Sequence, residues 1–148
     1  MREVVFVLLL SSLFALAGCR GTDAGANGAG EPRGGTAAAA DALVSELKAF
    51  TDELVGKVES AREPSEGVAE AQKLLESRRD ALAARINSAK KGEQDAATRR
   101  KWLEAEVDGT DRVSRLQVKY LDASMRDPAL KARLDKLVGD YGAIFKDR

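Results

Sequence analysis

The feature that most constrains this chain is a recurrence of apolar residues at intervals of three and four, sustained through about 110 residues after position 36. That interval brackets the 3.6-residue turn of an α-helix and places the apolar side chains on one face. Four stripes follow in order. Between about Ala37 and Arg62 the stripe is Leu43, Leu47, Phe50, Leu54, Val58 and Ala61. Between about Ser65 and Lys91 it is Val68, Ala71, Leu75, Leu82, Ile86 and Ala89, with Leu74 beside it. Between about Asp95 and Met125 it is Trp102, Leu103, Val107, Val113, Leu116, Tyr120 and Leu121. The last, between about Pro128 and Lys146, is Leu130, Leu134, Leu137, Val138, Tyr141, Ile144 and Phe145. Good helix formers dominate throughout, and runs of β-branched residues are absent.

The punctuation agrees with the stripes. Pro64 forbids a straight continuation, and Ser65 is placed to cap the helix that follows. Lys90 and Lys91 before Gly92 make a helix end with cations in its last turn and a residue free to take the left-handed conformation. Asp127 followed by Pro128 is an N-cap ahead of a proline at the first helical position. Gly109, inside the third helix, costs about 1 kcal/mol relative to alanine and marks where that helix is weakest. The expected fold is therefore all-α: an antiparallel up-down four-helix bundle over residues 37–148, with helices at about 37–62, 65–91, 95–125 and 128–146.

Charge describes a solvated surface more than a binding face. Glu53 with Lys57, Asp108 with Arg112, Asp111 with Arg115, Asp122 with Arg126, Lys131 with Asp135 and Lys136 with Asp140 are each one helical turn apart. The chain carries 24 basic and 24 acidic side chains, which gives no electrostatic reason to expect nucleic acid as a partner. One local imbalance stands out. Arg85, Lys90, Lys91, Arg99, Arg100 and Lys101 cluster around the joint between the second and third helices, opposed there mainly by Glu93 and Asp95. The ordinary account is a helix end complemented by cations; the sharper one is contact with an anionic membrane surface or polyanion, since each such cation contributes ~1 kcal/mol there.

Catalytic constellations fail one by one. There is no histidine, which removes the commonest general base, a hydrolase triad, the ligands of di-iron bundles and the usual haem ligand of bundle cytochromes. Glu104, Glu106, Asp108 and Gly109 imitate part of a calcium loop, but Arg115 stands where such a loop needs its bidentate glutamate. Many acids are present, yet no two are singled out as a glycosidase pair. Trp102, Tyr120 and Tyr141 sit on apolar stripes and read as core before they read as pocket. Gln72 and Asn87 lie near the apolar face of the second helix, as buried polar groups that fix pairing or as its edge. No enzyme activity, catalytic residue, metal or dissociable cofactor is expected.

The N-terminal end is of a different kind. An apolar run from Val4 to Leu16, broken by Ser11 and Ser12, follows the single early cation Arg2 and leads to Leu16, Ala17, Gly18 and Cys19, the only cysteine. It is short of the ~20 continuous apolar residues of a membrane span. A secretory signal cut elsewhere and an uncleaved anchor are rival accounts, but neither explains why the cysteine falls at the boundary. The residue order resembles the lipobox of bacterial lipoproteins. That resemblance implies a signal peptide at 1–18, removed by cleavage before Cys19, and covalent diacylglyceryl and acyl groups on the Cys19 thiol. Residues 19–36, rich in Gly and Ala, then form a flexible tether whose r.m.s. span is ~20 to 25 Å. In Gram-negative lipoproteins an acidic residue after the cysteine retains the protein at the inner membrane; Arg20 stands there, so the resemblance implies an outer-membrane anchor facing the periplasm.

The helical part is similar, loosely, to small helical-bundle lipoproteins and to four-helix cytochromes, a likeness of architecture that assigns no activity. The peptidoglycan-linked trimeric coiled-coil lipoprotein is a poorer comparison, since it ends in a crosslinking lysine and this chain ends Lys146, Asp147, Arg148. The expected function is that of a non-enzymatic module, held to membrane lipid through Cys19, which binds an envelope protein or other envelope component. A periplasmic carrier of lipid or a small molecule is the alternative. A contiguous exposed apolar or single-signed patch would favour the first, and an apolar cavity between helices the second.

Overall fold

A computed structural model of the protein describes residues 34–92 and 94–146. The lipobox residues Leu16, Ala17, Gly18 and Cys19, and most of the tether, lie outside the described residues, as does Glu93. Among the described residues the chain is all-helical, with no strand. Helix α1 is Gly34–Ser60, α2 is Pro64–Lys91, α3 is Ala96–Lys119, α4 is Leu121–Arg126 and α5 is Pro128–Gly142, closed by a 3-10 turn at Ala143–Phe145.

Helix α1 buries Leu43, Leu47, Phe50, Leu54 and Val58, and its face is widened by Val44, Thr51 and Val55, because two other helices pack on it. The α1–α2 joint differs from expectation by one residue with a physical consequence. Pro64 itself opens α2, Glu63 before it is extended at φ −111° and ψ 123°, and no side chain caps the helix, so Ser65 lies inside it. The joint is tight because Gly67 has no side chain: a Cβ there would lie 2.7 Å from Ala61 Cβ and 2.9 Å from both the Lys57 carbonyl oxygen and Val58 Cα. At the next joint Gly92 is also extended, φ −72° and ψ 158°, and not left-handed; its N–H donates to the Ala89 carbonyl at 3.3 Å. Asp95 then caps α3 by accepting from the Thr98 N–H at 2.6 Å. Asp127 caps α5 as expected, accepting from the N–H groups of Ala129 at 2.9 Å and Leu130 at 3.1 Å.

The third helix corrects the sequence expectation twice. It runs unbroken through Gly109 and ends at Tyr120, where φ −104° and ψ 21° interrupt it before the short α4. Its buried face is also not the expected one. Trp102, Val113 and Leu116 are buried, but their companions are Ala105 and Gly109, while Leu103, Val107 and Leu121 are exposed. The face that enters the core carries the small Ala105 and Gly109 at its middle, between Trp102 and Val113, which lets neighbouring helices approach closely there.

Four packed pairs organise the helices: α1 with α2, α1 with α3, α2 with α5 and α3 with α5. Their directions can be read from cross-helix contacts. Going forward along α1 from Glu46 to Glu53, the partner on α2 moves backward from Arg85 to Arg78, so this pair is antiparallel. Asp41, Asp52 and Glu59 of α1 pair with Lys101, Arg112 and Lys119 of α3, which advance in step, so α1 and α3 run in the same direction. On α2 and α5 the Ser65 carbonyl accepts from Arg133 and the Gln72 amide donates to Asp140, again in step. The joint between α2 and α3 thus connects helices that do not pack along their length, because α1 and α5 take the intervening places.

The core centres on Tyr141, Phe50, Leu47, Leu54, Leu75, Ile86, Leu116 and Leu137, all essentially inaccessible. Burying each aliphatic or aromatic side chain of this kind stabilises the fold by about 1.5 to 3 kcal/mol. Tyr141 stacks nearly parallel to Phe50, with ring centroids 6.4 Å apart and planes at 5°, and meets Phe145 edge-on at 5.6 Å. Its hydroxyl lies 2.6 Å from the Thr51 hydroxyl. Gly109 faces both: a Cβ on it would sit 2.3 Å from the Tyr141 oxygen and 3.4 Å from Thr51 Oγ1.

Candidate binding surfaces

Of the six cations grouped by sequence at the α2–α3 joint, four hold acids of the same chain. Arg85 pairs with Glu46, Lys101 reaches Asp41 at 2.7 Å, Arg100 reaches Glu104 at 2.8 Å, and Lys90 lies 3.8 Å from Glu106 while donating to the Phe145 carbonyl at 2.9 Å. Lys91 and Arg99 have no partner among the described residues. Asp95, expected to oppose the cluster, caps α3 instead, and the Thr98 backbone N–H holds its carboxyl below the usual aspartate range.

The i,i+4 pairs form in part. Asp111 with Arg115, Lys131 with Asp135 and Lys136 with Asp140 meet at 2.6 to 2.7 Å. Glu53 turns to Arg78 instead of Lys57, Arg112 to Asp52 instead of Asp108, and Arg126 reaches the Asp122 carbonyl instead of its carboxylate. Cross-helix partners win where the side chains flank a packed pair. Such exposed pairs contribute ~0.2 to 1 kcal/mol each.

A groove of about 360 Å³ opens at the same joint, lined by Lys90, Gly92, Gln94, Arg99, Trp102, Leu103 and Glu106. Trp102 is 5% exposed, and its Nε1 is buried without an acceptor. Leu103, at the rim, is 61% exposed. The Gln94 amide is engaged with the Ala89 carbonyl, so it does not offer its donor to the groove.

A second surface runs along α3 and α4. Leu103, Val107, Val118, Leu121 and Met125 are between 53% and 74% exposed. On α3 Leu103, Val107 and Val118, with the smaller, half-buried Thr110 and Ser114, fall at intervals of four, three, four and four, the spacing of one helical face. Leu121 and Met125 continue the sequence interval on α4, beyond the interruption at Tyr120. Sequence patterning missed this row. It assigned Leu103, Val107 and Leu121 to the core and left Val118 and Met125 aside, although these two continue the same spacing and were the available signal.

Gln72 and Asn87 are both half-buried. Gln72 Nε2 donates to Asp140 at 2.7 Å and Glu76 at 2.9 Å, tying α2 to α5, whereas Gln72 Oε1 and Asn87 Oδ1 are buried with no partner. Glu104, Glu106 and Asp108 lie on a continuous helix and are not arranged as a loop. The shifted carboxyl groups among the described residues all move downward: Glu70 through its hydrogen bond from Lys73, Glu76 through Gln72 and then Lys136, Asp135 through Lys131 and Asp140 through Lys136. These are anions stabilised by donors, the reverse of a carboxylic acid kept protonated for proton donation. No helix among the described residues is long and apolar enough to cross a membrane. Comparison of the chain with family models, with curated proteins and with solved structures gives no match.

Proposed function

We propose that this chain is a lipid-anchored protein of the cell envelope, without enzymatic activity, whose helical domain binds a helix of another envelope protein. The observation that carries the proposal is the exposed apolar row Leu103, Val107, Val118, Leu121 and Met125. A solvent-facing helix ordinarily presents polar side chains there, and a row of large apolar ones favours association. Small residues at Thr110 and Ser114 let a partner helix approach the backbone midway, and the helical spacing suits an amphipathic helix laid along the row.

The remaining parts fit one arrangement. The helices form an up-down four-helix bundle in which α1 and α3 point one way and α2 and α5 the other. The order Leu16, Ala17, Gly18, Cys19 supports cleavage before Cys19 and acylation of its thiol, the following tether holds the bundle off the lipid surface, and Arg20 supports the outer membrane, facing the periplasm.

The test uses a photo-crosslinking amino acid at Val118 of the full chain in cells, with a second at the exposed Ser77 on α2 as control. The expected result is one discrete heteromeric adduct from position 118, absent from position 77 and lost when Leu121 and Met125 are changed to aspartate. An adduct of two copies of this chain, or equal labelling from both positions, overturns the proposal. The anchor is tested separately: Cys19→Ser should abolish metabolic lipid labelling and release the protein from the membrane fraction, with the helical domain still folded.

A further inference from the structure

We propose that Met125 is a modification site, whose oxidation to the sulfoxide controls docking of the partner helix. Its thioether is the only sulfur among the described residues. It is also 74% exposed, level with Val118 as the most accessible of the large apolar side chains described. That exposure follows from the way α4 is set. Backbone hydrogen bonds of helical register cross the interruption, from the Tyr120 N–H to the Leu116 carbonyl at 3.0 Å and from the Ser124 N–H to the Tyr120 carbonyl at 2.9 Å. Ser124 is the buried residue of α4, and its hydroxyl donates to the Leu121 carbonyl at 2.8 Å, while Leu121 and Met125 are left exposed.

The reaction needs an oxygen donor of the peroxide class. A lone pair of the Met125 sulfur attacks one oxygen of hydrogen peroxide, so that the S–O bond forms as the O–O bond breaks. The departing hydroxide takes the proton of the transferred oxygen and leaves as water; sulfur loses two electrons and the peroxide gains them. The product is polar, and its oxygen would be left unpaired against an apolar helix. Trp102, an oxidant-sensitive ring on α3, is 5% exposed and so is shielded. This inference rests on the docking of a helix along Leu103, Val107, Val118, Leu121 and Met125. The free chain presents the sulfur, the bound chain covers it, and a sulfoxide at the end of the row opposes rebinding.

Hydrogen peroxide applied to the purified full chain should add the mass of one oxygen atom to the tryptic peptide Tyr120–Arg126 and leave thermal unfolding unchanged, since this side chain faces solvent. In cells, the full chain with the photo-crosslinking amino acid at Val118 should give about tenfold less heteromeric adduct after peroxide, the effect of burying one unpaired polar oxygen. Met125→Leu should keep its adduct under peroxide, because leucine is apolar and carries no sulfur; this arm separates Met125 from oxidation of the partner. Met125→Gln, which brings a polar oxygen to the same position, should lose as much adduct without peroxide. An unoxidised peptide or a lowered melting temperature in the purified chain, equal peroxide sensitivity in Met125→Leu, or an undiminished adduct from Met125→Gln overturns this proposal and leaves the docking surface standing. Failure of the untreated parent to give an adduct overturns the docking itself, and the control by Met125 with it.

Discussion

Tyr141 donates its hydroxyl hydrogen to Thr51 across the centre of the core, over 2.6 Å. The direction follows from valence. Thr51 has one hydroxyl hydrogen, and it is committed to the Leu47 carbonyl at 2.8 Å, so the contact with Tyr141 must use the tyrosine's hydrogen. One chain of two hydrogen bonds therefore joins α5 to α1, and Gly109 of α3 covers it. Three helices meet where polar atoms are buried, and the one that contributes no side chain makes the space for the other two.

Gly109→Ala should destabilise the protein although it improves helix propensity. The propensity gain is ~1 kcal/mol, but a Cβ at 2.3 Å from the Tyr141 oxygen requires movement of a ring that Phe50 and Phe145 hold in place, and overpacking of this kind costs ~1 to 3 kcal/mol. The expected signature is non-additive. In a Tyr141→Phe background the same substitution should cost less, because the atom it strikes is gone, as a double-mutant cycle of chemical denaturation would measure. Additive costs would mean that the two residues do not meet.

Other glycines should respond in opposite directions. Gly67→Ala places a Cβ against backbone atoms of α1, the Lys57 carbonyl oxygen and Val58 Cα at 2.9 Å, so the α1–α2 joint must open and stability should fall. Gly56 and Gly139 are exposed positions inside α1 and α5 with nothing within 4 Å of an added Cβ. Gly56→Ala and Gly139→Ala should each stabilise by about 0.5 to 1 kcal/mol through lower chain entropy in the unfolded state and better helix propensity. Thermal melts of the three variants check both signs.

How much of this was legible in the sequence depends on side-chain size. The stripes of α1, α2 and α5 were visible because their buried faces carry Leu, Val, Ile and Phe, and the caps at Asp95 and Asp127 lie at the expected joints. On α3 two stripes overlap. One, through Trp102, Ala105, Gly109, Val113 and Leu116, is buried; the other, through Leu103, Val107 and Val118, is exposed, as is Leu121 on α4. Apolar periodicity favours large residues and so mixed the two, whereas close approach between helices rewards small ones. The break at Tyr120 carries no Gly or Pro signal. Its site coincides with a tertiary contact, the Tyr120 hydroxyl reaching the Val58 carbonyl at 3.3 Å, which local sequence does not encode. The groove at the α2–α3 joint is local in sequence, lined between Lys90 and Glu106, and the charge pattern marked its cations Lys90 and Arg99; what stayed hidden is the fold of the joint that puts Trp102 in its wall.

Stability should decline at both pH extremes for separate reasons. Burial raises the Tyr141 phenol above its ordinary value of 10.0, outweighing the Thr51 hydrogen bond and Arg112, which act the other way. The folded state thus binds this proton more tightly than the unfolded state; its contribution is intact below pH 10.0 and is lost as pH rises beyond it. In a Tyr120→Phe variant the one remaining tyrosine should ionise together with alkaline unfolding, and phenolate absorbance appearing before unfolding would contradict its burial. On the acid side, Lys136 and then Gln72 hold Asp140 below its ordinary 3.8, so its contribution is present above that value and lost as pH falls through the lowered one. Asp140→Asn should lower stability at neutral pH and flatten the acid limb of the profile.

The parallel pairing of α1 with α3 makes a prediction that another ordering of the helices would fail. Asp41 Oδ1 lies 2.7 Å from Lys101 Nζ, and Glu59 Oε1 lies 2.7 Å from Lys119 Nζ, near opposite ends of the contact. A zero-length carbodiimide coupling, which joins only carboxylates and amines already in contact, should link Asp41 to Lys101 and Glu59 to Lys119 within one chain. Lys136, 3.2 Å from Glu76, should link α2 to α5 in the same experiment. If α1 ran opposite to α3 the ends would exchange partners, Asp41 meeting the Lys119 end and Glu59 the Lys101 end; if α1 lay against α5, both links would be lost and its carboxylates would meet lysines of α5 such as Lys131 and Lys136. Peptide mapping distinguishes these sets directly. Because each exposed pair contributes only ~0.2 to 1 kcal/mol, Lys101→Gln and Lys119→Gln should remove the corresponding links with little loss of thermal stability, so a missing adduct in the parent chain would count against the helix pairing and not against the strength of the ion pairs.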